Sequence, residues 1–293
     1  MSTDTATLVR RSARLETDDI DFDAFRTAPL DAESLRCLRY MHDIEGHTMC
    51  YLRDVLVTRA HKDPEVTSFL AAWCYEEHWH GEALAEVLKA HGEPAGEDRL
   101  TALRARTRRR DAARPLLFNL SSALTPHMTA VTMAWGAVNE WTTQSGYGRL
   151  AERANHPVLR ELLRRIMKQE GRHIDFYMAQ ARARLARSRT AQRLVRFSLA
   201  HWWAPVGAGV MPRNEVRFLA GHLFGDEKGG AQAERVDRQI DRLPGLEGLH
   251  LLSGAVKDAV RKGVLIGEVG SDRNGNGNAN GGSIGPGSVS SAA

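Results

Sequence analysis

Between residues 31 and 265, apolar side chains recur every three or four positions over long stretches, and alternating β-branched runs bounded by turns are nearly absent. That period is helical. It predicts one helix over about 31–60 and a second over about 64–91, closed by His91-Gly92-Glu93-Pro94. A third begins near Pro126 and runs past Glu140 towards Tyr147. A fourth runs from Pro157, a residue suited to the first helical turn, to Arg187. The stretch before Pro115, with Arg104, Arg106, Arg108, Arg109 and Arg110, reads as a basic connector. Two or three further helices are expected in 190–264, broken at Pro205, Pro212, Gly229-Gly230 and Pro244-Gly245. Four long helices with satellites make an all-α bundle.

The ends of the chain read differently. Residues 1–30 mix charge and turn formers around an acidic run, Asp18 to Asp23, and are expected to form a flexible arm. Residues 270–293 are almost wholly Gly, Asn, Ser and Ala, too poor in apolar groups to offset the entropy of ordering, and are expected to be a disordered tail. A chain of 293 residues can bury a substantial core, here over 31–265. A net charge of +4 is too mild to imply nucleic acid. No run is long enough to span a bilayer, and the N-terminus lacks the apolar core of a signal peptide. Cys37, Cys50 and Cys74 have neither CxxC spacing nor an even count, so they read as reduced thiols of a cytoplasmic protein.

Each long helix carries an acid on its apolar stripe. The first stripe is Leu35, Leu38, Glu45, Met49, Leu52 and Leu56; the second is Phe69, Trp73, Glu77, His80, Leu84 and Leu88. The third is Met133, Ala137, Glu140, Thr143 or Gln144, and Tyr147; the fourth is Leu159, Leu163, Ile166, Glu170, His173 and Tyr177. A buried carboxylate is costly unless paired or bound to metal. The histidines point to metal. Glu77 with His80, and Glu170 with His173, are two Glu-x-x-His pairs, which place both side chains on one helix face a turn apart. A lone glutamate precedes each pair, Glu45 by 32 residues and Glu140 by 30. This is the ligand inventory of a carboxylate-bridged di-iron or di-manganese site in a bundle, and four carboxylates balance two divalent cations. Glu33, in the first turn of its helix, suits the dipole. Glu76 reads as a neighbour of the site or a solvent-facing acid, and His42 as a polar core group. His47, His61, His78, His91 and His127 read as surface or loop residues.

With the ligands placed, the chain resembles the soluble acyl-carrier-protein desaturases of the ferritin-like superfamily. Glu76-Glu77-His78-Trp79-His80-Gly81 fits their E-E-x-x-H-G motif, and Glu170-Gly171-Arg172-His173 fits E-x-R-H. Glu140 followed by Thr143 matches their third ligand helix, and Arg242-Leu243-Pro244-Gly245-Leu246 is similar to their closing helices. The resemblance covers roughly 30–265. It implies a ferritin-like four-helix bundle with additional C-terminal helices, and Glu45, Glu77, His80, Glu140, Glu170 and His173 as iron ligands. It also implies Thr143 on the oxygen-binding side. Gln169 stands where the family usually has an acid.

The expected activity is O2-dependent oxidation of an acyl chain on acyl-carrier protein, with two iron ions (manganese as the alternative), O2 and an external donor such as a ferredoxin. Arg106, Arg109 and Arg110, with the other arginines from Arg104 to Arg114 and Arg182, Arg184, Arg187 and Arg189, form a candidate docking face for that acidic partner. Two alternatives stay open. One is a di-iron oxygenase acting on another substrate; the arylamine N-oxygenases have a third histidine where this chain has Ile166. The other is an iron store or structural bundle. A homodimer is expected of the enzyme and a large shell of the store.

Overall fold

The computed structural model describes residues 5–273, and their regular structure is all helical. Two short helices, α1 (Thr5–Arg11) and α2 (Ala24–Thr27), lead into α3 (Ala32–Glu45) and α4 (Thr48–Leu56). A 3-10 turn (Arg59–Lys62) precedes α5 (Pro64–Ala90), α6 (Glu97–Leu124), α7 (Met128–Ala154) and α8 (Pro157–Ala186). The chain continues through α9 (Arg189–Trp202), α10 (Arg213–Phe224), α11 (Glu227–Ile240) and α12 (Leu251–Arg273). Among the described residues, no helix is long and apolar enough to cross a membrane.

Four helices make the central bundle. α3 lies against α5 and α7 against α8, and the pairs meet through α3–α7 and α5–α8 contacts. Local sequence sets the helix starts. Asp31 caps α3 by accepting the Ser34 amide, and Asp63 caps α5 through the amides of Glu65 and Val66, just ahead of Pro64. Between α7 and α8, Asn155 adopts a left-handed conformation (φ 46°), and His156 accepts the Leu159 amide before Pro157. The predicted stripes of α5, α7 and α8 face the core, with Phe69, Leu84, Met133, Ala137, Leu163 and Tyr177 all buried.

The helix predicted over 31–60 is instead two. The chain breaks at Gly46-His47, where Leu100 lies so close that a Cβ on Gly46 would overlap its side chain. The break takes α4 off the expected stripe: Leu38 is buried, but Met49 is 59% exposed and Leu56 37%. The expected basic connector is also a helix. Of its 28 residues, α6 buries only Leu103, Thr107, Asp111 and Ser122, so its periodic signal is faint, and Pro115 lies inside it. α11 runs through Gly229-Gly230, where a break was expected. Asp226 accepts the Gly229 amide, and Gly229 leaves no room for a Cβ against the Phe224 backbone. Its glycine serves close approach, not termination. Arg242 to Leu246 form the turn between α11 and α12 and not a helix, with Leu243 and Leu246 buried beneath it.

The described part of the N-terminal arm packs against the bundle. Leu8, Leu15 and Phe25 are buried, Thr5 Oγ1 donates to Glu65 Oε1 (2.6 Å), and Arg165 pairs with Asp19 (2.5 Å). At the other end, α12 extends into the expected 270–293 tail as far as Arg273; the rest of that tail lies outside the described residues.

Candidate metal centre

The six predicted ligands are all buried and converge where α3, α5, α7 and α8 meet. Their donor atoms form two overlapping groups. One is Glu45, Glu77, His80 and Glu170; the other is Glu77, Glu140, Glu170 and His173; within each, the atoms lie within 4.8 Å of one another. Glu77 and Glu170 belong to both. Helix geometry produces the sharing: each Glu-x-x-His pair projects its carboxylate to the centre of the cluster and its imidazole to one end. His173 Nδ1 lies 3.1 Å from Glu170 Oε2 and 3.2 Å from Glu77 Oε1, and His80 Nδ1 lies 3.4 Å from a carboxylate oxygen of each.

The outer ring nitrogens are anchored across the bundle. His173 Nε2 donates to Glu76 Oε2 (2.8 Å), and His80 Nε2 donates to Gln169 Oε1 (2.8 Å). Glu76 directly precedes Glu77 and Gln169 directly precedes Glu170, so each helix orients the histidine of the other. Arg172 of the second motif donates to Glu76 Oε1 (2.7 Å). One residue of the arm ties both supports together. The Ala13 amide donates to Glu76 Oε1 (3.3 Å), and the Ala13 carbonyl accepts from Gln169 Nε2 (3.1 Å). A carbonyl only accepts, so Gln169 turns its NH2 to Ala13 and its oxygen to His80, and His80 keeps a proton on Nε2 with Nδ1 facing inward. An ionised carboxylate at 169 could serve His80 but not Ala13. That accounts for the amide where the resemblance leads one to expect an acid.

The end carboxylates have their own donors. The Tyr147 hydroxyl donates to Glu45 Oε1, and Trp73 Nε1 donates to Glu140 Oε1 (2.9 Å). Burial pushes Glu45 and Glu140 well above the usual carboxylate range, with the charges of Glu77 and Glu170 adding to it. Burial also raises Glu77, but hydrogen bonds with Glu45, His173 and His80 outweigh it and hold Glu77 well below that range. On Glu170, burial and the Glu77 charge are outweighed by His173 and His80. Burial lowers both histidines, yet the facing carboxylates of Glu170 and Glu77 lift His80 to about 9, and those of Glu170 and Glu76 lift His173 well above its ordinary value. The raised groups favour their protonated forms, which offsets the buried negative charge. Even so, His80 Nδ1 and Glu170 Oε1 are buried without a hydrogen bond, facing each other at 3.4 Å. Four carboxylates and two imidazoles fit a pair of divalent cations, which would replace those protons and engage the orphaned atoms.

A cavity of about 870 Å³ meets the cluster on one side. Glu45, Glu77 and Glu140 line it, with Thr143 beside them and apolar groups such as Trp73, Trp135 and Leu219 beyond. Thr143 therefore lines the same cavity as these glutamates. The supports of the two histidines lie instead beneath the arm. Arg106 and Arg109 are exposed on α6, and Arg110 lines the cavity while donating to the Gly209 carbonyl (2.6 Å). Arg184 does not join them, because it pairs with Asp63 (2.6 Å).

Of the other histidines, His61 and His78 are exposed as expected. His42 is a polar core group, accepting the Gly96 amide (3.1 Å). His47 is buried, contrary to expectation, because the α3–α4 break turns it inward. Sequence reasoning missed Tyr147, Trp73, Gln169 and Ala13 as supports of the site. A usable signal existed for Gln169: it occupies the same place before its Glu-x-x-His as Glu76 does. No family model and no curated protein matches the chain.

Proposed function

We propose that the protein is an O2-dependent di-iron oxidoreductase that removes hydrogen from an acyl chain presented on acyl-carrier protein. The observation that carries this reading is the junction of two donor groups, sharing Glu77 and Glu170, with a largely apolar cavity. Glu45, Glu77, His80 and Glu170 would hold one ion, and Glu77, Glu140, Glu170 and His173 the other. When bound, such a pair supplies O2 reduction and C–H oxidation, with electrons from an external, ferredoxin-type donor.

The chain's own groups do the rest. The cavity aligns an extended apolar substrate beside the glutamates. Thr143 Oγ1, one turn beyond Glu140, can hold a proton on the substrate side. Tyr147 and Trp73 keep the end carboxylates in place, and Glu76 and Gln169 keep the imidazoles aimed. Arg106 and Arg109 present positive charge to an acidic carrier. An iron store has no use for a cavity of this size and apolar lining, which favours the enzyme over storage.

The test is anaerobic loading with Fe(II), then O2 with an acyl-carrier-protein substrate and reduced ferredoxin. Loss of two hydrogens from the acyl chain is expected by mass spectrometry, and labelled O2 reports any oxygen insertion. Glu170→Ala is expected to keep its helical circular dichroism while losing both metal and activity. An untouched acyl chain rejects the substrate. Fewer than two ions per reconstituted chain rejects the centre itself.

A further inference from the structure

A separate set of metal-binding side chains meets at the break between α3 and α4. His47 stands at the break, Cys50 follows in the first turn of α4, and Asp111 comes from α6. Their donor atoms lie within 4.8 Å of one another. The i, i+3 spacing puts imidazole and thiol on the same side of α4, and α6 packs against that helix. His47 is only 6% exposed, yet it is poorly satisfied. Its Nδ1 is buried with no partner, and its Nε2 stands 3.6 Å from Asp111 Oδ1, too far for a hydrogen bond. Nearby cations are committed elsewhere: Arg53 and Arg114 grip Asp54, and Arg104 donates to the Gly46 carbonyl. Arg53 does reach Asp111, but at its backbone carbonyl.

We propose that His47, Cys50 and Asp111 form a mononuclear site for a divalent cation of the zinc class. One imidazole nitrogen, one thiolate sulfur and one carboxylate oxygen are a set that Zn2+ accepts in tetrahedral geometry. The thiolate and carboxylate together balance the ion's charge. Burial raises the Cys50 thiol above its ordinary value, so the group stays protonated until a cation claims it. Three protein ligands leave a fourth position for water or a ligand from the cavity, which His47 lines. An ion there clips α4 to α6, two walls of that cavity.

Cobalt tests the site independently of the proposed activity, because the six-ligand cluster contains no sulfur. Metal-free full-length protein is titrated with Co2+ while the near-ultraviolet sulfur-to-cobalt charge-transfer band is followed. The wild type is expected to develop the band, and Zn2+ to bleach it. Cys50→Ser should abolish the band and lower bound cobalt by one ion per chain, leaving cobalt at the glutamate cluster unchanged. Asp111→Asn should keep the band but weaken cobalt binding by roughly tenfold or more. A wild type with no such band overturns the site, as does a band that survives in Cys50→Ser. If the glutamate cluster proved unable to bind metal, the band would still appear.

Discussion

Gln169 separates two jobs that one side chain performs, and two substitutions pull them apart. Gln169→Leu removes the acceptor of His80 Nε2 (2.8 Å), which is buried, and the donor to the Ala13 carbonyl (3.1 Å), which is only partly so. Leaving the imidazole N–H unsatisfied costs about 1–3 kcal/mol. Loss of a histidine's outer support typically weakens metal binding by about 10–100-fold, which is roughly 1.4–2.8 kcal/mol. The two magnitudes agree. One ion of the pair should therefore bind about 10–100-fold more weakly, while the ion served by His173 and Glu76 is little changed. Gln169→Glu keeps an acceptor for His80 but sets carboxylate oxygen against the Ala13 carbonyl. Metal affinity should then hold or rise, while the arm loosens. If that contact is worth about 0.5–1.5 kcal/mol, hydrogen exchange of the Ala13 amide should quicken by roughly 2–12-fold. Stepwise metal titration and exchange mass spectrometry over residues 12–14 read the two effects. Undiminished affinity for both ions in Gln169→Leu would refute the role given to His80's support. Unchanged exchange in Gln169→Glu would refute the hold of this amide on the arm.

Other consequences follow from the same geometry. With Glu45 and Glu140 raised by burial and both histidines raised by the carboxylates facing them, the metal-free cluster holds protons more tightly than the isolated side chains would, and bound cations must displace them. Protons compete with metal, so affinity should climb with pH until His80 has titrated, near 9; calorimetry in buffers of different ionisation heat reads the release, and metal binding without proton release contradicts this competition. Gly136→Ala would drive a Cβ into the Tyr177 ring, and overpacking of this kind should lower stability by about 1–3 kcal/mol in urea unfolding. Arg106→Glu with Arg109→Glu should weaken binding of an acidic carrier protein by roughly tenfold at low salt and less at high salt. Equal binding by the variant and the wild type would move the docking face elsewhere.

Several features were legible in the sequence because they depend on local periodicity. The core helices α5, α7 and α8, the all-helical class and the burial of the six candidate ligands all follow from where apolar residues and Glu-x-x-His pairs recur along single helices. A side chain's helix face is set by the rise and twist of its own backbone, so spacing alone reveals it. What the tertiary structure decided lies between helices. At the α3–α4 break, Leu100, far along the chain, packs where a Cβ on Gly46 would lie. Gly229 reads as a stop signal but fills a close approach to Phe224. The support of His80 needs Gln169 from α8 and Ala13 from the arm, and the cluster of His47, Cys50 and Asp111 needs α4 beside α6. No repeat along the chain encodes such meetings. Periodicity reports which face of a helix is buried, whereas the partner it meets, and the room left for a Cβ, arise only when distant segments pack together.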